Sequence, residues 1–364
     1  MSVLAKFKPG NFDWVLFVSV FLLTAIGMAA IYSVDLSQGS ELVFFKKQSV
    51  AFIIGIVLLF FSGFFHYTFF KNYAKPIYFF SVILLVAVLF FGKSVRGTTG
   101  WFDLGGFSFQ PVELAKVGII LMLSYITVNF GRRFEKPTFF FGTMAVVALM
   151  IFLILLQPDL GSAFLLGAIW FIFMWLIGAR KLYLSLLVLI MILAGVFSWF
   201  FLFADYQKDR VLTFVDSSRD ALDSGYNVIQ STIAIGSGKL FGRGLGFGSQ
   251  SQLRFLPEAQ TDFIFSVIGE ELGFAGVALL LGLFIIILWR LLVIVKNSDD
   301  DFTSSVTSCI IILFFVQFFV NIGASIGLLP VTGVPLPFLS YGGSSLIINL
   351  WLVGIAESMG RKKY

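Results

Sequence analysis

The sequence has few of the residues on which many soluble enzymes depend. Cys309 is its only cysteine and His66 its only histidine. An intrachain disulfide is therefore excluded, and so are a Ser-His-Asp triad, a Cys-His pair and a metal site built from several histidines. Any acid–base chemistry must rest on carboxylates, lysine or tyrosine.

Charge is also scarce in this chain of 364 residues. Only 12% of the residues are charged and 59% are hydrophobic, including 47 phenylalanines, whereas an ordinary soluble domain has about 25% charged residues. The net charge is +5, but no block of basic residues is present that could follow a nucleic acid backbone. The composition predicts an integral membrane protein and gives no reason to expect a nucleic acid partner.

Ten long apolar runs divide the chain, and each is close to or above the roughly 20 residues that a membrane-spanning helix needs. They cover residues 13–33, 47–65, 76–92, 111–130, 137–156, 160–178, 183–204, 262–296, 302–329 and 340–358. The first run is too long for the apolar part of a signal peptide and is expected to be a retained span. We therefore predict an all-α integral membrane protein, a single polytopic domain over residues 1–364 with about ten transmembrane helices.

The positions of lysine and arginine predict the orientation. With the N-terminus inside, 14 of the 25 lysines and arginines fall in cytoplasmic segments, as expected because short cytoplasmic loops are enriched in them. Both termini are predicted to be cytoplasmic. The one long hydrophilic loop, residues 205–261 between the seventh and eighth spans, is then on the outer face.

This long loop contains two distinctive stretches. Residues 228–235 are apolar enough for a short interfacial or re-entrant helix. Glycines then alternate at Gly242, Gly244, Gly246 and Gly248. The Gly-Lys-Ser/Thr ending of a nucleotide-binding P-loop is absent, so the glycines indicate either a flexible loop or a nest of backbone amides that binds an anion.

Polar residues near the outer face form five clusters that are far apart in the sequence. The clusters cover residues 96–116, 157–162, 225–248, 250–271 and 329–345. Because all five fall on one side of the membrane, they could line a single outward-facing cavity of an enzyme or a transporter. In the last cluster, Pro330, Pro335 and Pro337 predict a re-entrant, non-helical turn, which must be buried in protein or line a cavity.

Each charged group in these clusters has a structural and a functional interpretation. Glu113 and Lys116 are three positions apart on one helix face, where they can form a structural ion pair or offer a cation to a pyrophosphate. Asp159 can cap a helix or line the cavity. Asp262 can also be a cap, but the apolar residues that follow it should raise its pKa towards that of a general base. Glu270 and Glu271 lie about two turns deeper, among glycines that favour close helix packing.

Several motifs occur together and in a fixed order. They are QPVELAK (110–116), QPDLG (157–161), GYN (225–227), FLPE (255–258), TDFIF (261–265) and LPFLSYGGSS (336–345). This combination resembles the shape, elongation, division and sporulation (SEDS) family over almost the whole chain. Residues 248–253 and 331–337 look more like the rod-shape proteins of the RodA type than the division proteins of the FtsW type. Gln260 departs from the family, which usually has histidine there.

The resemblance implies a peptidoglycan glycosyltransferase that polymerises lipid II on the outer face of the bacterial cytoplasmic membrane, with inversion, for cell elongation. It implies that Asp262 is the general base for the acceptor sugar hydroxyl and that undecaprenyl pyrophosphate is the leaving group. Candidate cations for the pyrophosphate are Arg96, Lys116, Arg210 and Arg243. The other substrate-binding candidates in the shared motifs are Glu113, Asp159, Gln252, Glu258, Thr261 and Ser340.

The resemblance also implies a partner, a class B penicillin-binding transpeptidase. No cofactor is assigned, although Glu113, Asp159 and Asp262 could serve as ligands of a divalent cation. Two other functions remain open. A lipid II flippase would use the same charges with alternating access, and a noncatalytic scaffold would only position the transpeptidase. Asparagine at position 262 should abolish glycan synthesis but could leave transport or scaffolding intact.

Overall fold

The computed structural model describes residues 12–37, 41–95, 97–103, 105–131, 133–201 and 224–360. Twelve helices are present in these ranges: α1 (Trp14–Ser37), α2 (Val43–Phe64), α3 (Tyr67–Phe91), α4 (Pro111–Asn129), α5 (Pro137–Leu155), α6 (Leu160–Leu176), α7 (Lys181–Phe201), α8 (Ser224–Ser237), α9 (Ser249–Gln252), α10 (Ile264–Lys296), α11 (Asp301–Ser325) and α12 (Gly343–Gly360). Three short strands lie between α3 and α4: β1 (Lys93–Val95), β2 (Thr98–Asp103) and β3 (Ser108–Phe109).

The long helices correspond in order to the ten predicted apolar runs. Within the described residues, seven helices are long and apolar enough to cross a membrane: α1 to α5, α10 and α11. The other three of the ten are α6 and α7, which are shorter as apolar segments, and α12, which buries Asn349 and Glu357. The prediction of an all-α membrane protein is confirmed. The chain is a multi-pass membrane protein.

The start of α3 differs from the predicted run. The helix begins at Tyr67 and includes Pro76, whereas the apolar run begins only at residue 76. His66 is the N-cap residue and accepts a hydrogen bond from the backbone N–H of Thr68, which satisfies one donor of the first turn. The Lys75 ammonium lies 5.0 Å from the centre of the Tyr125 ring. The cap and this cation–π contact stabilise the helix before Pro76, where the sequence is more polar.

A small three-stranded sheet between α3 and α4, which we call the hairpin, was not predicted from the apolar pattern. Its strands are antiparallel and pair in the order β1-β2-β3, with Phe102 opposite Phe109. Lys93 Nζ lies 2.6 Å from Asp103 Oδ2. The hydrogen bond from Lys93 lowers the pKa of Asp103, so this link is complete at neutral pH and is lost only as the pH falls through the lowered pKa.

Helices pack closely where small residues face a neighbouring backbone. α12 packs along α2, and a Cβ on Gly354 would collide with the backbone of Leu59. Gly27 of α1 allows the backbone of Leu339 to approach in the same way. Such contacts between small residues are typical of helix association in membranes.

The helix α10 contains a break, and the preceding loop packs against it. Gly273 has φ 65° and ψ −163°, which are not helical values, so α10 consists of two helical segments. Backbone groups freed at the break are satisfied from outside the helix: Phe274 N donates to Lys239 O at 2.8 Å and Ala275 N to Leu240 O at 2.9 Å. The loop before α10 is therefore docked against the break.

Candidate functional site

The residues between α11 and α12 form the core of the candidate site. We call residues 329–342 the rim segment; they have no regular helix, as their prolines predict, and include the buried residues Val334, Leu336, Phe338, Leu339 and Ser340. Internal partners satisfy several of the segment's polar groups. Leu336 N donates to Ser340 Oγ at 2.9 Å, and Gln48 of α2 donates to Ser340 O at 3.1 Å and accepts from Gly342 N at 3.1 Å. A non-helical backbone buried among helices requires such partners.

The turn that precedes α10 carries Asp262 and is bonded to the rim segment. Ser340 Oγ donates to Thr261 O at 2.6 Å, and Tyr341 N donates to Gln260 O at 2.8 Å. Asn321 Nδ2 of α11 donates to Asp262 O at 3.1 Å and to Val334 O at 3.0 Å. The main chain at Asp262 is thus held by two separate parts of the protein.

The side chain of Asp262 is half-buried. Helix α10 begins at Ile264 with Phe263 as the N-cap residue, so Asp262 lies one position before the cap. Asp262 is a partly accessible carboxylate at the end of a fixed turn, a suitable position for a group that must reach a substrate.

Glu258 and Thr261 belong to the same turn. Glu258 has the left-handed value φ 54°, and its carboxylate Oε2 accepts a hydrogen bond from Thr261 Oγ1 at 3.1 Å. The structure thus brings Glu258, Thr261 and Ser340 together beside Asp262.

Asp159 lies two positions before a close contact with the rim segment, at Gly161. It is the N-cap residue of α6; its two carboxylate oxygens accept from Ser162 N at 2.9 Å and from Ser162 Oγ at 2.7 Å. Gln110 Nε2, just before α4, lies 3.4 Å from Asp159 Oδ2. Gly161, in the first turn of α6, contacts Thr332 O of the rim segment so closely that a Cβ could not fit. Asp159 therefore caps a helix and also joins α4 and α6 beside the rim.

Glu113 and Lys116 form an ion pair inside the bundle. Lys116 Nζ lies 2.8 Å from Glu113 Oε1, and the two side chains are only 2% and 3% exposed. The second carboxylate oxygen of Glu113 has no hydrogen-bond partner among the described residues. This geometry favours the structural interpretation of the pair, because a buried cation in contact with a carboxylate is already neutralised.

Arg243 and Gln252 lie in a different region, which we call the glycine loop (residues 238–255, including α9). Gln252 Nε2 donates to Ser33 O at 3.2 Å and to Ser33 Oγ at 3.1 Å. The exposed Arg243 side chain donates to Ser249 Oγ at 2.7 Å. These partners, Ser33 and Ser249, do not belong to the turn at Asp262, and the loop docks near Glu271, about 13 Å along α10 from Asp262.

The glycine loop does contain a nest of backbone amides, and carboxyl groups of α10 occupy it. Glu270 accepts from Gln250 N at 2.9 Å and from Ser251 N at 3.2 Å. Glu271 accepts from Ser33 Oγ at 2.5 Å and from Gly246 N at 3.3 Å. Both glutamates are buried, so the loop is docked by its hydrogen bonds to α10, and the interpretation as a flexible loop is not supported.

The predicted site residues therefore fall into three groups. Asp262, Glu258, Thr261 and Asp159 lie beside the rim segment, which contains Ser340. Glu113 and Lys116 form a buried pair in α4, and Arg243 and Gln252 belong to the glycine loop. Arg96 and Arg210 lie outside the described residues. Among the described residues, no group of three or more histidine, cysteine, aspartate or glutamate side chains could hold a metal ion, so Glu113, Asp159 and Asp262 do not form a preformed cation site.

Sequence reasoning missed Gln48 and Asn321. Both connect the rim segment to other helices, and each lies within a long apolar run. An amide in such a run must find a partner inside the protein, which is the signal that could have identified them.

Comparisons with known proteins cover nearly the whole chain. Residues 13–364 match the family model FTSW_RODA_SPOVE, described as "Cell cycle protein". The peptidoglycan glycosyltransferase MrdB of Escherichia coli K12 is 40% identical over 293 residues, which cover 80% of this chain and 78% of MrdB. The probable peptidoglycan glycosyltransferase FtsW of Trichlorobacter lovleyi is 36% identical over 364 residues, with 98% of this chain and 95% of the relative covered.

Two solved structures have the same fold. A chain from a study of how a peptidoglycan synthase complex coordinates polymerization and crosslinking has a TM-score of 0.81 and 34% identity, with 96% of this chain and 98% of that chain covered. The rod shape determining protein RodA of Thermus thermophilus has a TM-score of 0.72 and 30% identity, with 97% and 98% covered.

Proposed function

The chain belongs to the FtsW, RodA and SpoVE (SEDS) family of peptidoglycan glycosyltransferases, and we propose that it polymerises lipid II into glycan strands on the outer face of the cytoplasmic membrane. The observation that carries this proposal is the placement of Asp262. Its carboxylate is half-buried at the end of a turn whose main chain is bonded to Asn321 and, through Thr261, to the rim segment. A positioned carboxylate is what a general base requires.

In the proposed reaction, the Asp262 carboxylate removes the proton from the 4-hydroxyl of the acceptor sugar. The hydroxyl oxygen then bonds to the anomeric carbon of the lipid-linked donor. The bond between that carbon and the pyrophosphate oxygen breaks, and undecaprenyl pyrophosphate leaves with the bonding electrons. Attack from the face opposite the leaving group inverts the anomeric configuration.

The leaving pyrophosphate needs positive charge close to it. Arg96, Arg210 and Arg243 remain the proposed cations. Lys116 is nearly fully buried and paired with Glu113, so in this proposal it stabilises the first turn of α4, and direct binding of the phosphate falls to the arginines. Glu258, Thr261 and Ser340 keep the turn at Asp262 in place, and Asp159 keeps α4 and α6 beside it.

The proposal includes an orientation and a partner. Both termini are cytoplasmic, so that the rim segment and Asp262 face outward. One solved structure with this fold comes from a complex that joins polymerization to crosslinking, and on that basis we propose that a class B penicillin-binding transpeptidase is the partner of this chain. Residues 248–253 and 331–337 support a role in cell elongation and rod shape.

The test is lipid II polymerisation by purified protein, with and without its cognate transpeptidase. We expect glycan strands from the wild type and none from Asp262→Asn at equal folding. The matched control is Asp103→Asn, which removes an exposed carboxylate of the hairpin and should leave the rate unchanged. Equal polymer from the wild type and Asp262→Asn would remove Asp262 from the chemistry. No polymer from the wild type even with its partner would favour a flippase or a scaffold.

A further inference from the structure

Two polar contacts connect α1 and α10 at widely separated levels. At one level, Arg290 Nε donates to Asp13 Oδ2 at 2.6 Å. At the other, Ser33 Oγ donates to Glu271 Oε1 at 2.5 Å. The residues of α1 and α10 that lie between these two levels are predominantly apolar.

The distance between the two levels matches a lipid bilayer. Arg290 follows Glu271 by 19 positions, and Ser33 follows Asp13 by 20. Along α1, at 1.5 Å per helical residue, the levels are about 30 Å apart, and the hydrocarbon core of a bilayer is about 30 Å thick. The level of Glu271 therefore marks one boundary of the hydrocarbon core, on the face of the membrane that carries Asp262.

The glycine loop is held at this boundary. Arg243 N donates to Glu270 O at 3.0 Å, and Gly244 N donates to Glu271 O at 3.0 Å. Together with the hydrogen bonds from Phe274 and Ala275 described above, these contacts fix both the height and the orientation of the loop on α10.

The surface of the loop combines exposed apolar side chains with cations. Phe241 is 83% exposed and Phe247 is 75% exposed. The other large exposed apolar side chains of the loop are Leu240, Leu245, Leu253 and Phe255. Lys239 and Arg254 are exposed beside them, and a shallow depression of about 540 Å³ runs along residues 237–243.

This combination fits the boundary between acyl chains and phospholipid headgroups. Aromatic and leucine side chains are favourable there because they leave water, and lysine and arginine can bind anionic headgroups at the same level. In water the same surface would form an apolar patch of a kind that soluble proteins avoid.

We propose that the glycine loop is an interfacial anchor, which inserts Phe241 and Phe247 into the edge of the acyl layer and binds anionic phospholipid headgroups through Lys239 and Arg254. The occupant of this surface is the bilayer itself. The proposal stands on the membrane position of α1 and α10 and does not depend on the reaction at Asp262. It assigns to the loop a binding site for anionic lipid that is separate from the rim segment.

The depth of the loop is tested with a fluorescent label at Phe241→Cys in nanodiscs. Cys309 is fully buried and gives no background labelling. Two positions of α10 provide controls: Leu279, exposed about 12 Å inside the boundary, and Asn297, exposed about 10 Å beyond Arg290. Lipids brominated near the headgroup should quench the label at position 241 most strongly. Lipids brominated deep in the acyl chain should quench the label at Leu279→Cys most strongly. Aqueous iodide should quench the label at Asn297→Cys.

The same label tests the preference for anionic lipid. Brominated phosphatidylglycerol should quench it about twofold more than brominated phosphatidylcholine at the same mole fraction, and the double variant Lys239→Gln/Arg254→Gln should remove the difference. Lys239→Arg, which keeps the charge, should retain it.

Three results would overturn the proposal. Quenching of position 241 by iodide and not by bromolipid would place the loop in water. Protection from both quenchers would show that protein covers the loop, whether residues 202–223 or a partner. Equal quenching by the two brominated lipids in the wild type would show that the loop does not prefer anionic headgroups. A label at Phe247→Cys repeats the measurement if Phe241→Cys does not fold.

Discussion

At the scale of single residues, substitutions in the ion pair of α4 can show whether Lys116 stabilises the fold or binds the substrate. Lys116→Met leaves the Glu113 carboxylate buried without its cation, which should cost about 3 to 5 kcal/mol of folding free energy. The double variant Lys116→Met/Glu113→Gln should recover most of that loss, because no uncompensated charge remains. Thermal unfolding in detergent measures both. A stable Lys116→Met protein that makes no polymer would instead place the lysine at the substrate.

Asn321 is the residue on which the position of Asp262 depends most directly. Asn321→Leu removes a donor shared by Asp262 O and Val334 O. If the turn shifts by about 1 Å, we expect kcat to fall by roughly 10- to 100-fold with little change in KM.

The neighbouring amide of α11 supplies the control for Asn321. Gln317 lies one turn away, is fully buried, and makes no hydrogen bond with its side chain within the described residues. Gln317→Leu should therefore keep a rate close to that of the wild type. If both variants lose activity equally, the effect belongs to the packing of α11 and not to the hydrogen bonds of Asn321. Steady-state polymerisation of both variants at several lipid II concentrations separates these outcomes.

At this scale the sequence predicted the charged groups and their local contacts, such as the pair of Glu113 and Lys116, but not the contacts between distant elements. Asp262, Asp159, Glu113 and Lys116 are identifiable because charges near or within apolar runs are uncommon. The long-range contacts depend on which distant helix packs beside the site: Asn321 follows Asp262 by 59 positions, and Gln48 precedes Ser340 by 292. Spacing along one element contains no information about such pairs.

At the scale of elements, the glycines of the loop differ in what a side chain would meet. A Cβ on Gly242 would collide with the backbone of Glu271, whereas a Cβ on Gly246 would meet nothing within 4 Å. Both residues have positive φ, 78° and 80°, so both substitutions carry a similar conformational cost of about 1 kcal/mol.

Gly242→Ala should therefore destabilise the docked loop beyond that shared cost, and Gly246→Ala should show the conformational cost alone. We expect faster proteolytic cleavage after Lys239 and Arg243 in Gly242→Ala and a rate nearer to that of the wild type in Gly246→Ala. Limited proteolysis in detergent compares the two. Equal cleavage rates would mean that the contact with α10 does not hold the loop.

The elements themselves were largely predictable, with informative exceptions. Membrane-spanning helices can be predicted from length and hydropathy because a helix must be long enough to cross the hydrocarbon core and apolar enough to remain in it. The hairpin was missed because three strands of two to six residues are too short for a period-two pattern to be recognised. The break at Gly273 was missed because a glycine in an apolar run is also compatible with close helix packing.

At the scale of the whole molecule, the distribution of lysine and arginine predicts the orientation. In intact cells, a membrane-impermeant maleimide should label Asp103→Cys from outside. It should label Asn297→Cys only after the membrane is permeabilised. Both positions are exposed, and the buried Cys309 should remain unlabelled. The opposite pattern would place the rim segment on the cytoplasmic face and would contradict the proposed reaction.

The contacts between the two ends of the chain have a consequence for biogenesis. α12 packs along α2, Gln48 binds the rim segment, and Asp13 N donates to Glu357 at 3.2 Å across 344 positions. During synthesis, α1 and α2 enter the bilayer long before their partners exist. Gln48 therefore has no hydrogen-bond partner in the rim segment until the last part of the chain has emerged from the ribosome. The rim segment can close around Asp262 only when the chain is almost complete, and nascent or truncated chains are therefore expected to be inactive.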